Sequence, residues 1–370
     1  DDASYLKKEK ARKDDKVQAY VIDDALYRVW DHWIADGKKP VVFAVDAKTG
    51  GHRNLFSGVK RTLPVSSGSG SDYDVSPDGQ EICFVSESAK ELGMDYNSDL
   101  YVMPIGESAR ELKFAEPKNI TSDNPANDSD PVYSPDGKSI AFLAQKIKFF
   151  YADTKRIMIW DRKIGTSTEL TKDFDRSCAQ VRWAPNASFR TLYFQNEHLG
   201  AHTLMESGSS GIGSLTYEHR SEFELDLDAK GKMTTFIGAS FELPRALFAK
   251  PKPDGRGYQI DSFNKDLVAQ WDLGKVDSVT YEGADKNHRT QMWVVYPPGF
   301  DAKKKWPCLM MIHGGPHNAI TTDFHYRWNA HLFAAKGYVV AIPNFHGSSG
   351  FGQKFTDSIT GDMATKPFTD

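Results

Sequence analysis

The 370-residue chain holds only three cysteines, Cys83, Cys178 and Cys308. No two of them form a CxxC pair, and their spacings fit no zinc pattern, so neither a disulfide framework nor a zinc fold is indicated. An odd number cannot pair completely within one chain. Cys83 and Cys308 sit inside apolar runs and are expected to be buried free thiols. No run of 18 apolar residues is present, so no transmembrane helix and no membrane partner are expected. The start, Asp1-Asp2-Ala3-Ser4, has neither an initiator Met nor the apolar stretch of a signal peptide, and a processed or truncated end is expected there. The other end, Lys366-Pro367-Phe368-Thr369-Asp370, carries no closing element. An excess of one charge is also missing: 46 basic against 50 acidic residues leave a net charge of −4, so nucleic acid is not the expected partner.

What is present is a composition that folds. Hydrophobic residues make up 39% and aromatics 12%, over a length that suits two domains. Residues 4–18 are dense in charge and good helix formers, and predict a solvated helix. Beyond them one pattern recurs. An alternating strand ends in an acidic or polar turn (41–50, 99–108 and 157–165). A short polar stretch with Leu or Ile beside Ser or Thr follows, as in Leu55-Phe56-Ser57, Ile120-Thr121 and Leu170-Thr171. A turn and another strand come next, at 73–86, 131–144 and 181–195.

The turn reads Ser76-Pro77-Asp78-Gly79, then Ser134-Pro135-Asp136-Gly137, then a degraded Ala184-Pro185-Asn186-Ala187. Pro presets φ for the first central position, Asp tolerates the second and bonds back to backbone, and Gly closes the turn. Pro77, Pro135 and Pro185 stand 58 and 50 residues apart, a propeller-blade period lengthened by loops. A weaker fourth unit spans 217–263. About four blades of a partial β-propeller are therefore expected over 1–275, with further blades upstream.

The character changes at Val276. Residues 276–300 read as two strands joined by a polar hairpin. Trp306-Pro307-Cys308-Leu309-Met310-Met311-Ile312 is a continuous apolar run, expected to be a strand buried on both faces. A helix is expected at 326–336, closed by Gly337, and Tyr338–Pro343 is a second buried strand, so a βαβ crossover is predicted. Between the first strand and the helix lies His313-Gly314-Gly315-Pro316. Its glycines let backbone turn sharply against a ligand. His313 and His317 stand four apart, but no helix runs through Gly314-Gly315-Pro316, so no metal pair is inferred. Arg327 and Trp328 suit packing or local pairing better than catalysis.

The run 311–362, together with the SPDG blades and the YPPGFD segment at 296–301, resembles the prolyl oligopeptidase family of serine peptidases, in its branch of dipeptidyl and acylaminoacyl peptidases. The resemblance covers essentially the whole chain and is most specific over 276–370. It implies a propeller followed by the N-terminal part of an α/β-hydrolase domain (276–370), acting without cofactor or metal on oligopeptides. It leaves room for a homodimer and implies a periplasmic or secreted place. A family Ser-His-Asp triad is expected beyond Asp370, because neither Gly347-Ser348-Ser349-Gly350 nor Gly208-Ser209-Ser210-Gly211 matches G-x-S-x-G. The resemblance places the Gly315 backbone N–H in an oxyanion hole, in a loop shaped by His313, Gly314 and Pro316. Residues 344–352 match a loop near the active site, with His346 where the family usually has Arg and Met363-Ala364-Thr365 where Trp-Gly-Gly is common. For release of dipeptides, Glu197 is the candidate carboxylate for the substrate ammonium, with His346 as a second substrate contact; a solvated loop acid is the competing reading of Glu197. Three functions stay open: dipeptidyl peptidase, acylaminoacyl peptidase or oligopeptidase, and a non-catalytic propeller that binds a partner.

Overall fold

The computed structural model describes residues 2–19, 27–29, 32–33, 39–65, 70–87, 97–105, 116–185, 191–216, 220–251, 256–286 and 288–370. Asn186 and Ala187 of the degraded third turn lie outside them, as do 217–219 and 252–255 of the fourth unit. A charged helix, Asp2–Asp14, comes first, ending short of the expected 18. Two short pairings follow, Arg28–Val29 with His32–Trp33 and Phe43–Val45 with His52–Asn54.

Four antiparallel four-stranded sheets then succeed one another, each a meander with its strands in chain order. The first holds Tyr73–Val75, Glu81–Glu87, Ser98–Pro104 and Lys118–Asn119. The second holds Asp128–Tyr133, Ser139–Ala144, Arg156–Asp161 and Thr166–Glu169. Cys178–Trp183, Leu192–His198, Ala201–Gly208 and Gly211–Ser214 make the third; Ser221–Leu227, Thr234–Ala239, Ala246–Lys250 and Tyr258–Gln259 make the fourth.

The SPDG turns join first and second strands, as their chemistry predicts. Gly79 has φ +70° and Gly137 φ +66°, and each donates its N–H to the carbonyl of the turn's serine at 2.8 Å. The serines tighten the device. Ser76 Oγ donates to Asp78 Oδ1 at 2.6 Å and accepts the Glu81 N–H at 2.9 Å; Ser134 repeats this with Asp136 and Ser139 at 2.7 and 2.9 Å. In the fourth sheet Asp228-Ala229-Lys230-Gly231 does the same work without proline, Gly231 N–H donating to Asp228 O at 2.8 Å.

The recurring Leu/Ile-Thr dipeptide also has a structural cause. Thr121, Thr171 and Thr216 each accept, through Oγ1, a backbone N–H of the third strand in their own sheet: Leu100, Ile157 and Leu204, at 2.9–3.0 Å. The preceding Ile120, Leu170 and Leu215 donate their N–H to the carbonyls of those same three residues. The pair fixes the outer edge of the first three sheets.

The sheets pack face to face, and the core lies between them. Cys83, Val85 and Leu100 of the first meet Ile140, Phe142 and Trp160 of the second. Ala141, Leu143 and Ile159 of the second meet Val181, Leu192 and Phe194 of the third. Tyr193 and Leu204 of the third meet Leu225, Phe236 and Phe248 of the fourth. Second strands are therefore largely buried, as in Glu81–Glu87, where five consecutive residues are buried. Among the described residues these make four propeller-like blades, as the repeat indicates. Their first strands line a cavity of about 790 Å³ with Asp74, Asp130, Glu224 and Asp226 facing a single Arg182. Those strands bulge at equivalent places, where Asp130, Gln180 and Glu224 take φ of +53°, +49° and +51°.

The last sheet differs. Val276–Glu282 and Arg289–Val295 form the expected hairpin, and Cys308–Met310 pairs parallel with Val339–Asn344. The order is first, second, fourth, third. Val339–Asn344 is buried, but Cys308, Met310 and Ile312 are exposed. Within this chain that run pairs on one side only and the Cys308 thiol is exposed, where burial on both faces is expected from its sequence. Cys83 is buried as expected, and so is Cys178, whose thiol burial pushes up to about 12. The helix is also shorter than expected, Ala330–Ala334. His325 Nδ1 accepts the N–H groups of Arg327 and Trp328, which turns that stretch out of the helix, and Asn329 caps the start by accepting from His331 N. Among the described residues no helix is long and apolar enough to cross a membrane.

Candidate active site

The loop at His313-Gly314-Gly315-Pro316 leaves the edge strand toward the third blade. Its two glycines are not equivalent. Gly315 has φ +140°, and a Cβ there would lie 2.9 Å from His317 N and 3.1 Å from Asn318 Cβ, so the position requires glycine. Gly314 faces open space.

His313 is held by stacking and by one serine. Its ring lies on Phe345, centroids 4.3 Å apart and 11° from parallel, with Nε2 3.0 Å from Ser348 Oγ. Ser348 is fully buried, its hydroxyl lying 2.7 Å from Phe345 O and 3.0 Å from His313 Nε2. A hydroxyl so enclosed and committed is a loop fastener and not a nucleophile beside its base. Burial holds His313 below the ordinary histidine range, opposed by the Gly314 carbonyl and the Glu197 charge. His317 points elsewhere. Its Nδ1 lies 3.0 Å from the Gly347 carbonyl, and Phe150 and Tyr151 of the second blade stand edge-on to its ring. No metal pair of His313 and His317 forms.

The segment 344–352 is pinned from below. Buried Asn344 accepts the Ile320 N–H at 2.8 Å and donates to Gln291 Oε1 and Ile320 O at 2.6 and 3.0 Å. From above it meets the third blade. Glu197, one residue from the end of Leu192–His198, accepts a hydrogen bond from Ser349 Oγ. Leu199 N–H donates to Gly350 O at 3.0 Å, and Thr322 N–H to Gly200 O at 2.8 Å. A Cβ on Gly350 would sit 3.2 Å from Glu197 Cβ, so the approach depends on glycine there. His202 Nε2 is 3.9 Å from Glu197 Oε1, while its Nδ1 accepts from Gln195. Burial lowers the His202 pKa against the raising influence of Glu197 and Asp323. The second blade adds a further grip: Gln353 N–H donates to Asp175 Oδ1 at 2.9 Å, and its side chain reaches Ala152 O and Thr154.

The structure thus gathers His313, Gly315 and Glu197 around one loop through Ser348 and Ser349. His346 it encloses: the ring is fully buried, against Phe355 at 4.5 Å, with backbone N and Nδ1 both 2.6 Å from Asp370 Oδ2. Arg327 pairs locally, its guanidinium over the exposed Trp328 ring at 5.2 Å. Sequence reasoning met Ser348 and Ser349 only as a stretch that fails the G-x-S-x-G pattern, and did not single out Gln353. The two serines lie inside the recognised 344–352 run; nothing in the pattern marks Gln353.

The model of the prolyl oligopeptidase family matches residues 324–370. The chain is 29% identical over 367 residues to dipeptidyl-peptidase 5 of Porphyromonas gingivalis, covering 96% of this chain and 51% of that one. It is 28% identical over 386 residues to dipeptidyl-peptidase 5 of Aspergillus fumigatus, covering 95% and 51%. The fold matches that of Pyrococcus horikoshii acylaminoacyl peptidase with a TM-score of 0.72 at 18% identity, over 97% of this chain and 52% of that one. Dipeptidyl peptidase 4 of Porphyromonas gingivalis matches at a TM-score of 0.51 and 11% identity, over 87% and 57%. The chain spans about half the length of the relatives it matches.

Proposed function

We propose that the chain belongs to the prolyl oligopeptidase family, which the family model over 324–370 and the dipeptidyl-peptidase 5 relatives support, and that the whole protein is a serine exopeptidase releasing dipeptides from the N-termini of oligopeptides. The observation that carries this reading is the meeting of Glu197, from a blade strand, with Ser349 on the loop whose Ser348 holds His313. A free peptide N-terminus is an ammonium and needs a counter-charge partly withdrawn from water. Glu197 supplies one at the junction.

In this reading residues 1–275 are the propeller that screens substrates and 276–370 begin the α/β-hydrolase domain. The His313–Pro316 loop then follows the third strand of the sheet, where such a domain places one oxyanion donor. The Gly315 N–H is that donor, and His313, Gly314 and Pro316 shape its loop. The attacking Ser and its His and Asp partners belong to the rest of the polypeptide. No cofactor takes part, and a periplasmic or secreted location accompanies the reading.

Assay of the whole protein on dipeptidyl-coumarin substrates, unblocked and N-acetylated, tests it. Unblocked substrates should be the better ones, and Glu197→Gln should raise their KM roughly tenfold or more with a smaller change in kcat, as expected for loss of a charged hydrogen bond. A preference for acetylated substrates would assign the protein instead to acylaminoacyl release.

A further inference from the structure

The tip of the hairpin between Val276–Glu282 and Arg289–Val295 lies against the underside of the loop after Val339–Asn344 and brings two histidines and an aspartate together. One donor atom from each of Asp285, His288 and His346 lies within 4.8 Å of the other two. His346 is fully buried, and its Nε2 has no hydrogen-bond partner. A buried ring nitrogen without a partner is rare in a folded protein and calls for an explanation. The opposite nitrogen explains how Nε2 is presented. Nδ1 lies 2.6 Å from Asp370 Oδ2, a carboxylate oxygen that only accepts, so the Nδ1 proton is held there and Nε2 offers its lone pair. Asp370 is itself fixed, accepting the Ala284 N–H through Oδ1 at 2.7 Å. A carboxylate behind a histidine is how metal-binding imidazoles are oriented and made more basic.

We propose that Asp285, His288 and His346 bind one divalent cation of the zinc class, with Asp370 as the residue that positions His346. Two imidazoles and one carboxylate suit Zn²⁺ better than the oxygen-seeking Ca²⁺ or Mg²⁺. His288 Nδ1 and Asp285 Oδ2 are already 3.0 Å apart, near the ~3.4 Å edge that ~2.1 Å bonds give a tetrahedron. Both residues are partly exposed on the hairpin tip, which can close the remaining distance to His346. A water completes the fourth position. The cation ties the hairpin to the segment carrying Ser348 and Ser349, and so stiffens the loop that holds His313 and Glu197. The inference does not depend on the peptidase reading.

The test is Zn²⁺ titration of the chelator-stripped chain, by calorimetry and by the visible absorption of Co²⁺ as a stand-in. One saturable site, a tetrahedral Co²⁺ spectrum and a Zn²⁺-dependent rise in Tm are expected. His288→Gln and Asp285→Asn should each weaken binding at least about tenfold, and Asp370→Asn by about tenfold through His346. His346→Gln changes a buried group and could unfold the chain, so the exposed His288→Gln decides. The proposal is overturned if no saturable site appears, or if His288→Gln and Asp285→Asn bind Zn²⁺ as tightly as the parent chain.

Discussion

The second strands of the first two blades and the edge strand Cys308–Met310 both carry apolar runs, yet they meet opposite fates. Ile82, Phe84, Ile140 and Leu143 vanish between neighbouring sheets, while Met310 stays 59% exposed. The difference is the number of neighbours. The second strand Ser139–Ala144 has a partner on each edge and a sheet against each face; the edge strand has one partner, Val339–Asn344. Hydropathy states what a strand can bury, and topology decides what it does bury. The strongest test is a pair of truncations measured by chemical denaturation. Phe194→Ala, between the second and third blades, should cost about 3–5 kcal/mol. Met310→Ala should stay within about 0.5 kcal/mol. Equal losses would mean that the edge strand is as covered as the blades.

The same contrast holds for ion pairs. Lys250 Nζ and Glu222 Oε2 are 3.0 Å apart in the fourth blade, both side chains at most 2% exposed, and Lys250 also donates to Leu215 O. Lys275 and Asp277 of the last sheet are 2.7 Å apart, the lysine largely and the aspartate partly in solvent. Glu222→Ala strands a buried ammonium and should cost about 3–5 kcal/mol. Asp277→Ala should cost about 0–1 kcal/mol, less at high salt. Denaturation at two ionic strengths separates them.

Asp128 gives the blades a pH signature that the exposed acids of the last region lack. Burial raises its pKa from 3.8 to about 8, against a hydrogen bond from Asn124. The folded state then keeps a proton that the unfolded chain has lost, so this contribution is full below about pH 4 and disappears as pH rises through about 8. Asp362, fully exposed, shifts the other way, lowered chiefly by Thr365, and contributes above its unfolded pKa. Asp128→Asn should flatten the loss of stability between pH 4 and 8 and leave the variant more stable than the parent at pH 8. An unchanged slope would remove Asp128 as its source.

Much of this was legible because it is local. Pro, Asp and Gly in SPDG name a turn by their own φ preferences, and the period of that turn gave the blades. What was missed depends on distance. The bulges at Asp130, Gln180 and Glu224 put non-glycine residues at positive φ, which no residue type announces. Asp228–Gly231 makes the fourth turn without the proline that was the marker. The helix expected from 326 starts at Ala330, because a histidine ring nitrogen captured two N–H groups. In the site, Glu197 was readable as an acid at a blade end, but only the fold could bring it to Ser349, 152 residues away. His288 and His346 belong to separate patterns in sequence, so their juxtaposition had no signal.

The finest comparison is between two buried threonines. Thr171, in the second blade, accepts the Ile157 N–H through Oγ1 at 2.9 Å. Thr290, in the last sheet, is equally buried, and its Oγ1 has no partner. Valine has nearly the shape of threonine without the hydroxyl, so the two substitutions differ in what they orphan. Thr171→Val leaves a buried backbone N–H unsatisfied and should cost about 1–3 kcal/mol. Thr290→Val removes a hydroxyl that was already unsatisfied and should be neutral or stabilising by a few tenths of a kcal/mol. If Thr290→Val costs as much as Thr171→Val in the same denaturation series, its hydroxyl has a partner in solution and the sheet is better satisfied than its geometry indicates.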